Sequence, residues 1–221
     1  MRFLYCACAI SYMLKDWSGL NLPAAIEYIE QCRSYDGSIS LIPGQEGHGG
    51  CTFCAIASIE LMKRHYVSHY HDYDVCDIID EDWKKQLIYW CVSRQVGGMQ
   101  GRPNKAADSC YSYWIGGTLR LLQQPQDDSL LLHQEELCRF VMKCESSYGG
   151  FSKFPDVAPD PVHSFYSLAW LCLSRFNDQN VNDFETDDEK MFSLNRIDCA
   201  LGMGLAHVQR LQNNKTEPTP S

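Results

Sequence analysis

Apolar positions along this chain recur as a pair. An apolar helix end leads into a glycine-bearing loop, and the loop leads into a helical stretch that is apolar nearly all round. Three segments show this in register. One starts at Cys32 (CRSYDGSISLIPGQEGHGGCTFCAIASIELM), one at Cys91 (CVSRQVGGMQGRPNKAADSCYSYWIGGTLRLL) and one at Cys144 (CESSYGGFSKFPDVAPDPVHSFYSLAWLCL). Each leaves a helix end and passes glycine: Gly37, then Gly97 and Gly98, then Gly149 and Gly150. Each then enters a helix with an aromatic near its start: Phe53, Tyr111, Tyr166. Offsets of ~60 and then ~50 residues are those of a repeat architecture. The all-apolar helices predict an inner layer, buried on most sides. Between the repeats, helices are expected at Leu22–Cys32, Asp82–Arg94 and Leu130–Cys144, with Pro23 in a first turn. The glycines are expected to cap the helices that precede them.

Tyr5-Cys6-Ala7 aligns with Phe53-Cys54-Ala55, so the chain opens inside a repeat, on an inner helix. A repeat unit cannot bury its apolar face alone. The expectation is therefore that residues 1–212 are the C-terminal part of a longer domain, with 213–221 a flexible tail. The start, MRFLYCACAISYMLKDW, lacks a convincing cleavage site and continues the repeat pattern, so it is expected to be a helix of the mature fold. Tyr66–Asp82 and the acidic Asn177–Glu189 are expected to be surface loops. His65, His69 and His71 then belong to a solvated loop and not to a metal site.

Composition narrows the function. With 221 residues the chain fits one domain or a large part of one. A net charge of −9 argues against nucleic acid as a partner. No apolar run reaches the length of a membrane span. Of the twelve cysteines, several, such as Cys6, Cys54 and Cys172, sit inside apolar helical runs. This predicts reduced core cysteines in a cytoplasmic protein. Cys51 and Cys54 form the one CxxC pair, too little for a structural zinc site.

Chemistry concentrates in Gly101–Trp114, GRPNKAADSCYSYW. Arg102 and Lys105 suit a phosphate, and Ala106, Ala107 and Asp108 are expected to start a helix. Taken singly, Asp108 is a helix cap and Cys110 a small buried residue. The repeat changes that. Asp108 lies three residues before Tyr111 and His163 three before Tyr166, so the two occupy equivalent positions at the starts of successive inner helices. With Cys110 they offer zinc three ligands and leave a fourth position open, as in catalytic sites. His48, Arg102, Lys105 and Lys153 all precede inner helices at that same end, which points to a diphosphate. Below them lie Tyr5, Phe53, Tyr111, Trp114, Phe165 and Tyr166, either plain core or the lining for a long apolar chain.

At Arg102, Asn104, Lys105, Asp108, Cys110, Tyr111 and the later Asp160-Pro-Val-His163, the sequence resembles the β subunits of protein prenyltransferases, from Arg2 to about Gln212. The resemblance implies an all-α fold, an α–α barrel (toroid), here an incomplete one of about eight helices, paired with a helical-repeat α subunit. Within the family, HGGCTFCAIAS at 48–58 and GGFSKFPD at 149–156 look most like the type I geranylgeranyl branch. The implied reaction moves geranylgeranyl from its diphosphate to the cysteine of a C-terminal CaaX sequence, on proteins such as small GTPases. The implied roles are zinc at Asp108, Cys110 and His163, and diphosphate at His48, Arg102, Lys105 and Tyr111. Lys153 would stabilise the leaving group where farnesyl relatives carry an acidic residue that helps hold magnesium, so magnesium is not expected to be required. Arg2 matches an arginine near the acceptor's C-terminus, and Trp114 and Val162 would line the peptide and isoprenoid region. The alternatives are a non-catalytic fragment that binds the α subunit or a substrate tail, and a farnesyl or Rab-type subunit. A terpene cyclase is disfavoured, since the chain has no acidic cyclase motif.

Overall fold

The segments that are apolar on most sides become four helices standing side by side. A computed structural model of the chain describes residues 1–69, 78–123, 131–175 and 194–213. In it the inner helices are α1 (Arg2–Leu14), α3 (Gly49–His69), α5 (Cys110–Leu122) and α7 (Pro161–Arg175), each packed on the next. The outer helices α2 (Leu22–Gln31), α4 (Glu81–Val92) and α6 (Gln134–Lys143) each pack on the inner helix that follows. The last helix, α8 (Leu205–Asn213), returns against α1. Phe53, Ile115, Leu119 and Trp170 are fully buried in the shared core. The α5–α7 contact is close because Gly116 has no side chain: a β-carbon there would lie 2.2 Å from Trp170 Cζ3. Among the described residues the fold is all-α apart from two tiny hairpins, β1 (Gln95–Val96) with β2 (Gly98–Met99) and β3 (Ile197–Asp198) with β4 (Met203–Gly204).

The repeat extends to individual hydrogen bonds. In the first loop Ser34 N donates to Ser38 O and Ser40 Oγ to Cys32 O; in the third, Ser146 N donates to Gly150 O and Ser152 Oγ to Cys144 O. The glycines, however, are not the helix caps. The outer helices end on Cys32, Ser93 and Cys144, all in right-handed conformation. Gly37, Gly97 and Gly149 follow several residues later, at φ 85°, 87° and 91°. The chain doubles back there in a tight hairpin, and it is the hairpin that needs positive φ.

Other boundaries also moved. Tyr66–His69 is the end of α3 and not loop, and distant partners hold the turn that leads into it. Arg64 pairs with Glu60 at 2.8 Å and Asp198 at 2.7 Å, and His65 stacks on Trp17 with centroids 4.9 Å apart. His65 is thus a packed helical residue. Asp80 caps α4 through the Trp83 amide at 2.6 Å, which brings Asp82 into that helix. The start expected at Leu130 lies outside the described residues, and α6 begins only at Gln134. The amide and carbonyl of His133 are both taken by the Gln95 side chain, at 3.0 and 2.9 Å. Cys54 and Cys172 are buried as expected, but Cys6 is exposed. The acidic stretch 177–189, His71 and the tail beyond Asn213 lie outside the described residues. Among the described residues, no helix is long and apolar enough to cross a membrane.

Candidate functional site

The loops that precede α3, α5 and α7 lie against one another at one end of the inner array. Gly49 N donates to Gly101 O at 2.8 Å, and Ser109 N to Lys153 O at 2.9 Å. The first bond joins the loop of His48 to that of Arg102. The second places Lys153 beside the start of α5. That helix begins at Cys110, later than expected: Ala107 is held extended by a bridge to Gln100. Asp108 keeps its capping role, accepting from Cys110 N at 3.0 Å. Both readings of Asp108 therefore hold at once, since its carboxylate also faces α7.

The donor atoms of Asp108, Cys110 and His163 all lie within 4.8 Å of one another. His163 Nε2 is 3.3 Å from Asp108 Oδ1. Its other nitrogen, Nδ1, is 2.5 Å from Asp160 Oδ2, while Asp160 Oδ1 accepts from the amides of Val162 and His163. Asp160 thus caps α7 and turns the imidazole, leaving the Nε2 lone pair aimed at the triad. The His163 amide also holds the Asp160 carboxyl below its usual range. Burial pushes the Cys110 thiol well up, with Asp108 adding to the rise and Lys153 opposing it. A buried thiol, carboxylate and imidazole at this spacing are what a divalent cation of the zinc type binds, and a cation would reverse the thiol's preference for its neutral form.

The cations expected at the rim are there, with differences between them. His48 Nδ1 accepts from Gly50 N at 3.1 Å, so the neutral ring carries its proton on Nε2, 3.0 Å from the Tyr111 hydroxyl. Burial, then Arg2 and Arg102, hold His48 below its usual pKa. Tyr111 accepts from His48 and keeps its own proton to donate; burial pushes its pKa up to about 12. Its ring lies directly over Gly101, where a β-carbon would come 2.1 Å from Tyr111 Cζ. Lys153 Nζ is 3.7 Å from Asp108 Oδ2 and half exposed. Lys105 is exposed. Arg102 is not free: its Nη1 pairs with Glu46 Oε2 at 2.8 Å. Arg2 reaches into the same group, with Nη2 beside Gly50.

Of the apolar lining, Phe53 is plain core, with no exposed surface. Trp114 packs against Tyr166 with centroids 4.3 Å apart and the rings tilted by 43°, and both are half-buried. Phe165 and Val162 are more open, 48% and 58% exposed. Sequence reasoning missed Glu46, Tyr113 and the segment 198–202, and it named Asp160 only as part of a motif, without its role behind His163. Tyr5 and Tyr113 donate to Ala200 O and Cys199 O at 2.7 and 2.9 Å, which seats that segment against the aromatic cluster. An Asp three residues before a His at a helix start was a capping signal for Asp160. Nothing local marked Tyr113 or the return of 198–202.

Paired helices in two layers, with a Cys–Asp–His triad and a cationic rim at one end, define an α–α toroid of repeat units carrying a metal-type site. The chain belongs to the prenyltransferase α-α toroid domain family, which matches residues 1–203. It is 48% identical over 175 residues to the Arabidopsis thaliana geranylgeranyl transferase type-1 subunit beta, covering 78% of this chain and 45% of that protein. The corresponding Dictyostelium discoideum subunit is 38% identical over 172 residues, covering 77% of this chain and 44% of that protein. A solved structure, Candida albicans protein geranylgeranyltransferase-I complexed with GGPP, superposes with a TM-score of 0.74 at 26% identity, covering 96% of this chain and 56% of that one. The chain spans about half the length of the curated relatives it matches.

Proposed function

We propose that residues 1–212 work as part of the β subunit of a type I protein geranylgeranyltransferase, in the cytoplasm, with a helical-repeat α subunit. The observation that carries this is the triad Asp108–Cys110–His163, within 4.8 Å, with the Lys153 ammonium 3.7 Å from Asp108. Similarity to type-1 subunits from two organisms supports the same reading. Zinc bound at the triad supplies Lewis-acid stabilisation of a thiolate, which a free cysteine of pKa about 8.5 largely lacks at neutral pH.

This chain's own groups then serve the other partner. His48, Arg102, Lys105 and the Tyr111 hydroxyl hold the diphosphate of geranylgeranyl diphosphate. Tyr5, Trp114, Phe165 and Tyr166 offer apolar faces to its chain, with Val162 and Arg2 at the edge facing the CaaX acceptor. The acceptor sulfur bonds to C1 as the C1–O bond breaks, and the electron pair leaves with diphosphate. Lys153 meets the charge that develops there.

Magnesium dependence tests this. In the complex with its α subunit, single-turnover transfer to a peptide ending Cys-aliphatic-aliphatic-Leu should proceed with zinc and no added magnesium. Lys153→Ala should slow it by ~100-fold, and Lys153→Asp should be slow but recover with magnesium. A wild type that needs magnesium, or Lys153→Ala at the wild-type rate, rejects the assignment.

A further inference from the structure

Arg102 stands at the anion rim, yet its guanidinium is engaged by a carboxylate. Glu46 Oε2 is 2.8 Å from Arg102 Nη1, and the two side chains are 50% and 42% exposed. Glu46 lies two residues before His48, in the loop joined to the Arg102 loop by Gly49 N–Gly101 O at 2.8 Å. That backbone bond fixes the two loops whether or not the ion pair forms, so the pair is not needed to bring Arg102 to the rim. Glu46 is also the group that opposes Arg2 and Arg102 in the field at His48. A carboxylate among cations that face an anion does two things. It occupies one guanidinium edge, and it repels the incoming charge. An ion pair this exposed is weak and opens readily. A diphosphate, with more charge and more acceptor oxygens, displaces it but must overcome it.

We propose that Glu46 is a built-in competitor for Arg102 that weakens the hold of the rim on diphosphate and so favours its release. This rests on the anion seat proposed above. The probe is inorganic diphosphate, titrated calorimetrically into the complex with the α subunit at low and moderate salt. Glu46→Gln should tighten binding three- to tenfold, more at low salt. The gain should shrink to less than half in an Arg102→Gln background, where Glu46 has no guanidinium left to occupy and only its direct repulsion of the anion remains. Glu46→Asp keeps the charge and should stay within twofold of wild type. Unchanged or weaker binding in Glu46→Gln overturns the proposal. So does an equal gain in the Arg102→Gln background, or a gain in Glu46→Asp as large as that of Gln, which would trace the effect to packing. Arg102→Gln binding diphosphate as tightly as wild type is a separate failure: it removes Arg102 from the seat and takes both readings with it.

Discussion

The triad and the rim lie at the same end of the same four helices, but they are held by different means. Asp108 and Cys110 are buried, and His163 is pinned from behind by Asp160. Each is fixed by a bond that also builds a helix start: Asp108 to Cys110 N, Asp160 to His163 N. Arg102, Lys105 and Lys153 stand on loops, partly or largely exposed, on long side chains. The short side chains of the triad are held in place by the fold's own hydrogen bonds. The long cations are brought near by the backbone and settle on whichever anion is present, Glu46 included. A metal-type site needs donor positions right to fractions of an ångström, whereas a diphosphate tolerates several arrangements of cations.

Removing a ligand should break this comparison most sharply. The purified complex should hold about one zinc per chain at this site. Cys110→Ala and His163→Ala should each keep less than about a tenth of it, while Arg102→Gln and Lys105→Gln keep nearly all. Elemental analysis decides the matter, and equal zinc in all four variants would end the distinction between the two halves.

A smaller effect should come from the wall behind the triad. Gly116→Val drives a side chain into Trp170 at the α5–α7 contact, at a cost of about 1–3 kcal/mol. Since Cys110 starts α5 and His163 lies in α7, zinc affinity at the proposed site should fall with stability, and diphosphate affinity should fall less. Denaturant titration beside zinc and diphosphate binding reads all three quantities. A loss confined to stability would mean that the triad does not depend on that contact.

The smallest effect belongs to the rim. His48 is held below its unfolded pKa of about 6.5 by burial and by Arg2 and Arg102, against Glu46. Between its folded and unfolded values the unfolded chain binds more protons. The stability His48 contributes is therefore present above about pH 6.5 and lost as pH falls through the lower, folded value. His48→Gln should flatten that part of the curve in denaturant midpoints measured from pH 5 to 8. An unchanged slope would show that His48 does not feel those cations.

Much of the fold was legible because repetition averages out local noise. Three copies of one pattern placed Asp108 and His163 in register, and the structure puts them 3.3 Å apart at Nε2 and Oδ1. The inner layer was legible because helices apolar all round have no other place to go. Tertiary packing decided what a local pattern cannot carry. Arg64, His65 and Tyr66 look like the edge of a loop, and they stay helical because Asp198 and Trp17 meet them from far along the chain. Gln95 sets the start of α6 from 38 residues away. Glu46 lies 56 residues from Arg102, and no spacing rule joins them. Hydrophobic period and capping residues act over a few positions, so sequence alone fixed the helices, their layers and the ends that carry ligands. Which charges meet at the rim, and which polar ends stay helical, depended on partners that only the folded chain brings together.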